Sequence, residues 1–131
     1  MLFPLPFLGA ELLQLILENG QTVQVADLKW GHIRRYLQEL PKLKSVQRVI
    51  LFGSAITENC TEQSDVDLCF LYNNKKEYWE DIARLNFELM PESASDDALC
   101  AEQSWYETTN CLTGAWKDVR RKGVTIYDRN W

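Results

Sequence analysis

The chain has 131 residues, enough for one domain with a self-sufficient core. Apolar residues make up 46% and charged residues 25%, which excludes a disordered segment. A net charge of −5 argues against a surface for extended nucleic acid, because phosphate contacts need clustered Lys and Arg.

In chain order, the first stretch is apolar, residues 1–8. It has no basic leader, Pro4 and Pro6 interrupt it, and it falls far short of the ~20 residues that span a bilayer. No membrane association is expected. The stretch reads as an arm carrying Phe3, Leu5, Phe7 and Leu8 that packs on the domain, on a second copy or on another chain. Residues 12–18 and 21–26 flank Asn19-Gly20, which predicts a hairpin with a two-residue type I′ turn, both central residues having positive φ. The leucine-rich first arm would alternatively be a helix with Gly20 as its C-cap. Asp27 offers an N-cap for a helix to about Leu40, and Pro41 stops it. Residues 46–52 form a buried strand bounded by Gly53, and residues 65–72 a second. A helix over 77–90 places Tyr78, Ile82, Leu85 and Leu89 at helical spacing. A short third strand over 97–101, a helix over 110–122 with Gly123 as C-cap, and a terminal strand over 124–127 complete the chain.

Cys60, Cys69, Cys100 and Cys111 are widely spaced with no C-x-x-C pair, which argues against a structural zinc site. They read as reduced thiols of a cytoplasmic protein. Lys75-Lys76 and Arg120-Arg121-Lys122 read as solvated surface, able at most to meet a local phosphate. The five tryptophans, Trp30, Trp79, Trp105, Trp116 and Trp131, read as core and interface, and Tyr127 as packing. His32 falls on the first helix, away from the chemistry described next.

That chemistry lies in Val49-Ile-Leu-Phe-Gly53-Ser54, a ten-residue spacer, and Asp65-Val66-Asp67-Leu68-Cys69-Phe70. Side chains alternate across a strand, so Asp65 and Asp67 project from one face of the second strand, and Val66 and Leu68 from the other. Two carboxylates that close repel each other, and a divalent cation resolves the conflict. Mg²⁺ suits such a site because it keeps waters and takes phosphate oxygens as further ligands. Gly53, lacking a Cβ, lets the backbone approach a phosphate, and the amides of the turn form an anion cradle. The Ser54 hydroxyl adds a donor to a phosphate oxygen.

The run FGSAITENCTEQSDVDLCF resembles the signature of the polymerase-beta-type nucleotidyltransferases: an apolar strand ending in Gly-Ser, a spacer, then Asp-x-Asp. The ending WKDVRRKGVTIYD is similar to that family's closing helix and strand, so the resemblance covers residues 37–128. Within the family the chain looks most like the minimal nucleotidyltransferases, some of which act as antitoxins. The resemblance implies an α+β fold, a mixed sheet with helices on one side, here with an N-terminal hairpin and helix extension. It divides the chain into an extension, 1–27, and a nucleotidyltransferase core, 28–131.

It also implies transfer of a nucleoside monophosphate, AMP from ATP, to an acceptor hydroxyl with release of pyrophosphate. Gly53 and Ser54 would hold the triphosphate, and Asp65 and Asp67 two Mg²⁺ ions. A third carboxylate would position or deprotonate the acceptor; Asp97 is the match and Asp96 the rival. The acceptor would arrive on a partner protein, as in toxin–antitoxin systems, and the alternative association is a homo-oligomer. The chain departs from many relatives in lacking Arg and Gly just after Gly-Ser, where Ala55-Ile56-Thr57-Glu58-Asn59 stands. The alternative is therefore a weak or inactive module that binds nucleotide or partner.

Overall fold

The computed structural model describes residues 10–89, 96–110 and 112–131. The apolar arm, the Met90 end of the expected helix, and Cys111 lie outside the described residues. The first elements are an antiparallel hairpin, β1 (Leu12–Ile16) and β2 (Thr22–Ala26), with Leu13 opposite Val25 and Ile16 opposite Thr22. Its turn is not type I′, because Gly20 has positive φ, +88°, and Asn19 does not. The Gly20 N–H donates to Leu17 O at 2.9 Å and the Leu17 N–H to Gln21 O at 2.8 Å. This is a three-residue loop, a type I turn closed by a left-handed glycine. The Asn19 carboxamide oxygen accepts from the Gln21 N–H at 2.9 Å and braces it.

Helix α1 (Asp27–Glu39) follows directly, with Ala26 rather than Asp27 at the N-cap and no side-chain cap. Asp27 instead lies in the first turn, where its charge complements the helix dipole. A 3₁₀ turn, Leu40–Lys42, containing Pro41 ends it.

Strands β3 (Val46–Phe52), β4 (Asp67–Tyr72), β5 (Asp97–Glu102) and β6 (Val124–Asp128) form one mixed sheet in the order β5-β4-β3-β6. β3 is antiparallel to β4 and β6, whereas β4 and β5 are parallel. A parallel pair needs a crossover, and α2 (Lys75–Leu89) lies in it. The Asn74 side chain accepts from the Glu77 N–H at 2.9 Å, capping α2 and starting it two residues before Glu77.

β3 and β4 are apolar on both faces. On one face Val49, Leu51, Leu68 and Phe70 join Ile33 and Tyr36 of α1, Tyr78, Leu85 and Leu89 of α2, and Leu15 and Val25 of the hairpin. On the other, Ile50, Phe52, Cys69 and Leu71 meet Tyr106 and Val119, from two short helices, α3 (Gln103–Thr108) and α4 (Ala115–Lys122). Helices therefore cover both faces rather than one, since strands with apolar residues at successive positions need burial on each side. The helix expected over 110–122 is confined to α4, which begins after Gly114, and α3 was not expected. Trp79, Trp105 and Trp131 are exposed rather than core, while Trp30 and Trp116 pack partly buried against the two clusters. Tyr127 is buried packing. Among the described residues, no helix is long and apolar enough to cross a membrane.

Candidate functional site

The carboxylates gather where β3 ends and β4 and β5 begin. Leaving β3, the chain turns at Gly53, whose φ of +78° favours glycine, into a 3₁₀ turn, Gly53–Ile56. A Cβ at this position would collide with the Asp67 Oδ2 atom. Glycine is thus required twice, by the backbone and by the carboxylate lying against it. Half-buried Ser54 stands in the turn, its carbonyl accepting from the Thr57 N–H and hydroxyl, each at 2.9 Å.

Asp67 opens β4, opposite Phe52 on β3 and opposite Asp97 on β5. Neighbouring strands lie ~4.8 Å apart, so the Asp67 and Asp97 side chains stand side by side on one face. Burial, then the charges of Asp97, Asp65 and Asp96, hold the Asp67 carboxyl above its ordinary value of 3.8. Among the described residues, no ion pair joins Asp65, Asp67 or Asp97 to a Lys or Arg.

Asp65 differs from expectation. β4 starts at Asp67, so strand alternation does not fix the Asp65 direction, and the two carboxylates open onto different cavities. Asp65 lines one of about 420 Å³ on the α1 side, with Lys29, His32, Ser64 and Asp96. Asp67 and Asp97 line another of about 350 Å³, with Phe52, Leu99 and Ala115. They remain within electrostatic reach, since the Asp65 charge contributes to the raised Asp67.

Asp96 is engaged otherwise. Its Oδ2 accepts from His32 Nε2 and from the Tyr36 hydroxyl, each at 2.6 Å, and its Oδ1 from the Val66 N–H at 3.1 Å. Burial pushes its carboxyl upward, but the hydrogen bonds from His32, Tyr36 and Val66 outweigh this and leave it lowered. His32 and Tyr36 were missed from sequence. Their spacing of four puts both on the α1 face that buries Ile33, and two polar groups on a buried face need an acceptor.

The donor set fits a hard divalent cation: crowded carboxylates without a countercharge, beside a turn that favours glycine. Among the described residues, no three His, Cys, Asp or Glu side chains form a ready-made metal cage. A cation here would draw its other ligands from water or from a bound phosphate, as Mg²⁺ commonly does.

A family model described as Polymerase beta, Nucleotidyltransferase matches residues 32–130. Among curated proteins, none matches the chain.

Proposed function

We propose, from the premise that this chain belongs to the polymerase beta nucleotidyltransferase family, that it transfers AMP from ATP to a hydroxyl carried by a partner protein. The observation that supports this best is the Asp67–Asp97 pair set against Gly53. Asp65 and Asp67 would hold two Mg²⁺ ions, and the Gly53 turn and Ser54 hydroxyl the β- and γ-phosphates. Asp97, exposed beside Asp67, would orient the acceptor hydroxyl and take its proton. Bound Mg²⁺ would supply a lowered pKa at that hydroxyl and charge neutralisation at the leaving group. The acceptor oxygen bonds to the α-phosphorus as the α–β phosphoanhydride bond breaks, and pyrophosphate leaves.

The chain resembles the minimal nucleotidyltransferases, some of which act as antitoxins, so the acceptor would be a toxin and this chain its modifier. The free thiols Cys60, Cys69 and Cys100 suit the reducing cytoplasm. One observation favours a second reading, a weakly active or inactive binding module. The stretch after Ser54, Ala55 to Asn59, brings no cation to the triphosphate, and Ala55 is fully buried.

Incubation with α-labelled ATP, Mg²⁺ and the protein encoded beside this one tests the choice. Label should appear on the partner, need Mg²⁺, and fall at least ~100-fold in Asp67→Asn, the upper end of losses from disturbing a metal site's outer shell. Partner binding that is indifferent to Asp67, with no label transferred, would favour the binding module.

A further inference from the structure

The ladder between β4 and β5 begins at Asp67 opposite Asp97. Just outside it, a side chain provides the next link: Asp96 Oδ1 accepts the Val66 N–H at 3.1 Å. Val66 lies between Asp65 and Asp67, and Asp96 adjoins Asp97. One carboxylate therefore bridges the two segments that carry all three acids assigned above.

This bridge is anchored from a third element. His32 Nε2 and the Tyr36 hydroxyl, one turn apart on α1, both bond Asp96 Oδ2 at 2.6 Å, and their rings meet edge to face with centroids 5.1 Å apart. The Asp96 side chain is only 8% exposed. A carboxylate offers about four acceptor sites, and three are occupied here. With three of its sites committed to α1 and to Val66 and its side chain almost wholly buried, Asp96 acts as a support rather than a ligand.

We infer that Asp96, held by His32 and Tyr36, is a positioning residue that fixes Asp65, Asp67 and Asp97 relative to one another. Helix α1 thereby acts on the nucleotide site through one buried carboxylate. The inference rests on the metal-dependent reading above. Asp65, which lies outside the strand, and the outermost pair of the β4–β5 ladder would otherwise be free to spread under their mutual repulsion, and the cation would have to gather them on binding. Pre-positioning removes that cost, and the loss of such outer-shell partners typically weakens metal affinity or activity about 10–100-fold.

The test compares the full-length wild-type chain with His32→Ala, His32→Gln and Tyr36→Phe. Two quantities are read: the Mg²⁺ concentration for half-maximal label transfer, and the exchange rate of the Val66 amide hydrogen by NMR. His32→Ala should raise the Mg²⁺ requirement about tenfold or more, the low end of the outer-shell range, and speed Val66 exchange. Tyr36→Phe, which preserves the ring, should do the same to a smaller degree. His32→Gln, whose amide N–H can replace Nε2–H, should recover most of both. Asp67→Asn should abolish transfer yet leave Val66 exchange unchanged. An unchanged Val66 amide in His32→Ala and Tyr36→Phe, or faster exchange with an unchanged Mg²⁺ requirement, overturns the inference. A wild-type chain that neither transfers label nor responds to Mg²⁺ defeats the functional reading instead, and Val66 exchange alone then decides the bridge.

Discussion

Asp81 and Asp67 are carboxylates near opposite ends of the β3–β4 pair, and the chain treats them in opposite ways. Asp81, on α2, is almost fully buried, and its Oδ2 accepts from the Ser45 N–H at 3.1 Å and the Ser45 hydroxyl at 2.6 Å. The Arg84 guanidinium lies 3.8 Å from its other oxygen. Asp67, at the far end, has Asp97, Asp65 and Asp96 for neighbours and no cation among the described residues. Where an acid serves the fold, the protein supplies donors from its own chain. Where donors and countercharge are withheld and acids accumulate, the compensation is left to something that binds.

The largest stability effect should come from the satisfied end. Asp81→Ala leaves the Ser45 N–H and hydroxyl buried beside an empty acceptor site, and hydrogen bonds to a charged group are worth roughly 1.5–3 kcal/mol. Urea melts should show a loss of about 3 kcal/mol, with label transfer per folded molecule unchanged. A stability within about 0.5 kcal/mol of wild type, the ordinary range for a neutral surface change, would mean that the Ser45 contact does little for the fold.

Gly53→Ala should cost somewhat less stability and far more function. A left-handed non-glycine residue costs roughly 1–2 kcal/mol, and the new Cβ must displace the Asp67 carboxylate. Melts should record about 2 kcal/mol lost, and label transfer should fall with it. Full activity in the alanine variant would separate Gly53 from Asp67 and break the contrast between the two ends.

Much of this contrast is legible in the residues themselves, and what is not has identifiable causes. The β3 strand announces itself as an apolar run ending at glycine, and Asp67 follows from its place at the head of a second such run. Only the direction of the Asp65 side chain is misread, because alternation holds only inside a strand and β4 begins two residues later. The Asp96 bridge is invisible because its His32 anchor lies 64 residues away in sequence. The one usable hint, His32 and Tyr36 a turn apart on a buried face, shows that an acceptor is needed without identifying it. Helix α3 has six residues, too few for a period to show, and the hairpin differs from expectation because one more residue enters its loop.

The smallest predicted effect concerns Asp67 without metal. Its carboxyl is raised, so the folded state holds that proton more tightly than the unfolded chain. Its contribution to stability therefore falls as pH rises from the ordinary 3.8 through the raised folded value. Asp67→Asn removes that slope and a like charge beside Asp97. In EDTA near neutral pH the variant should match or exceed wild type by up to about 1 kcal/mol, the range for like charges on adjacent strands. The difference should vanish in acid. A clear loss of stability in the variant would mark Asp67 as a structural acid like Asp81.

The most direct test of the whole account is the melting temperature of wild type and Asp67→Asn, each with ATP plus Mg²⁺ and with ATP plus EDTA. A ligand at about a hundred times its dissociation constant stabilises the native state by ~2.7 kcal/mol. Wild type should show a stabilisation of that order only with Mg²⁺, and Asp67→Asn should show little or none. Equal stabilisation by ATP in EDTA, or in the variant, would contradict the claim that these carboxylates form a metal-dependent nucleotide site.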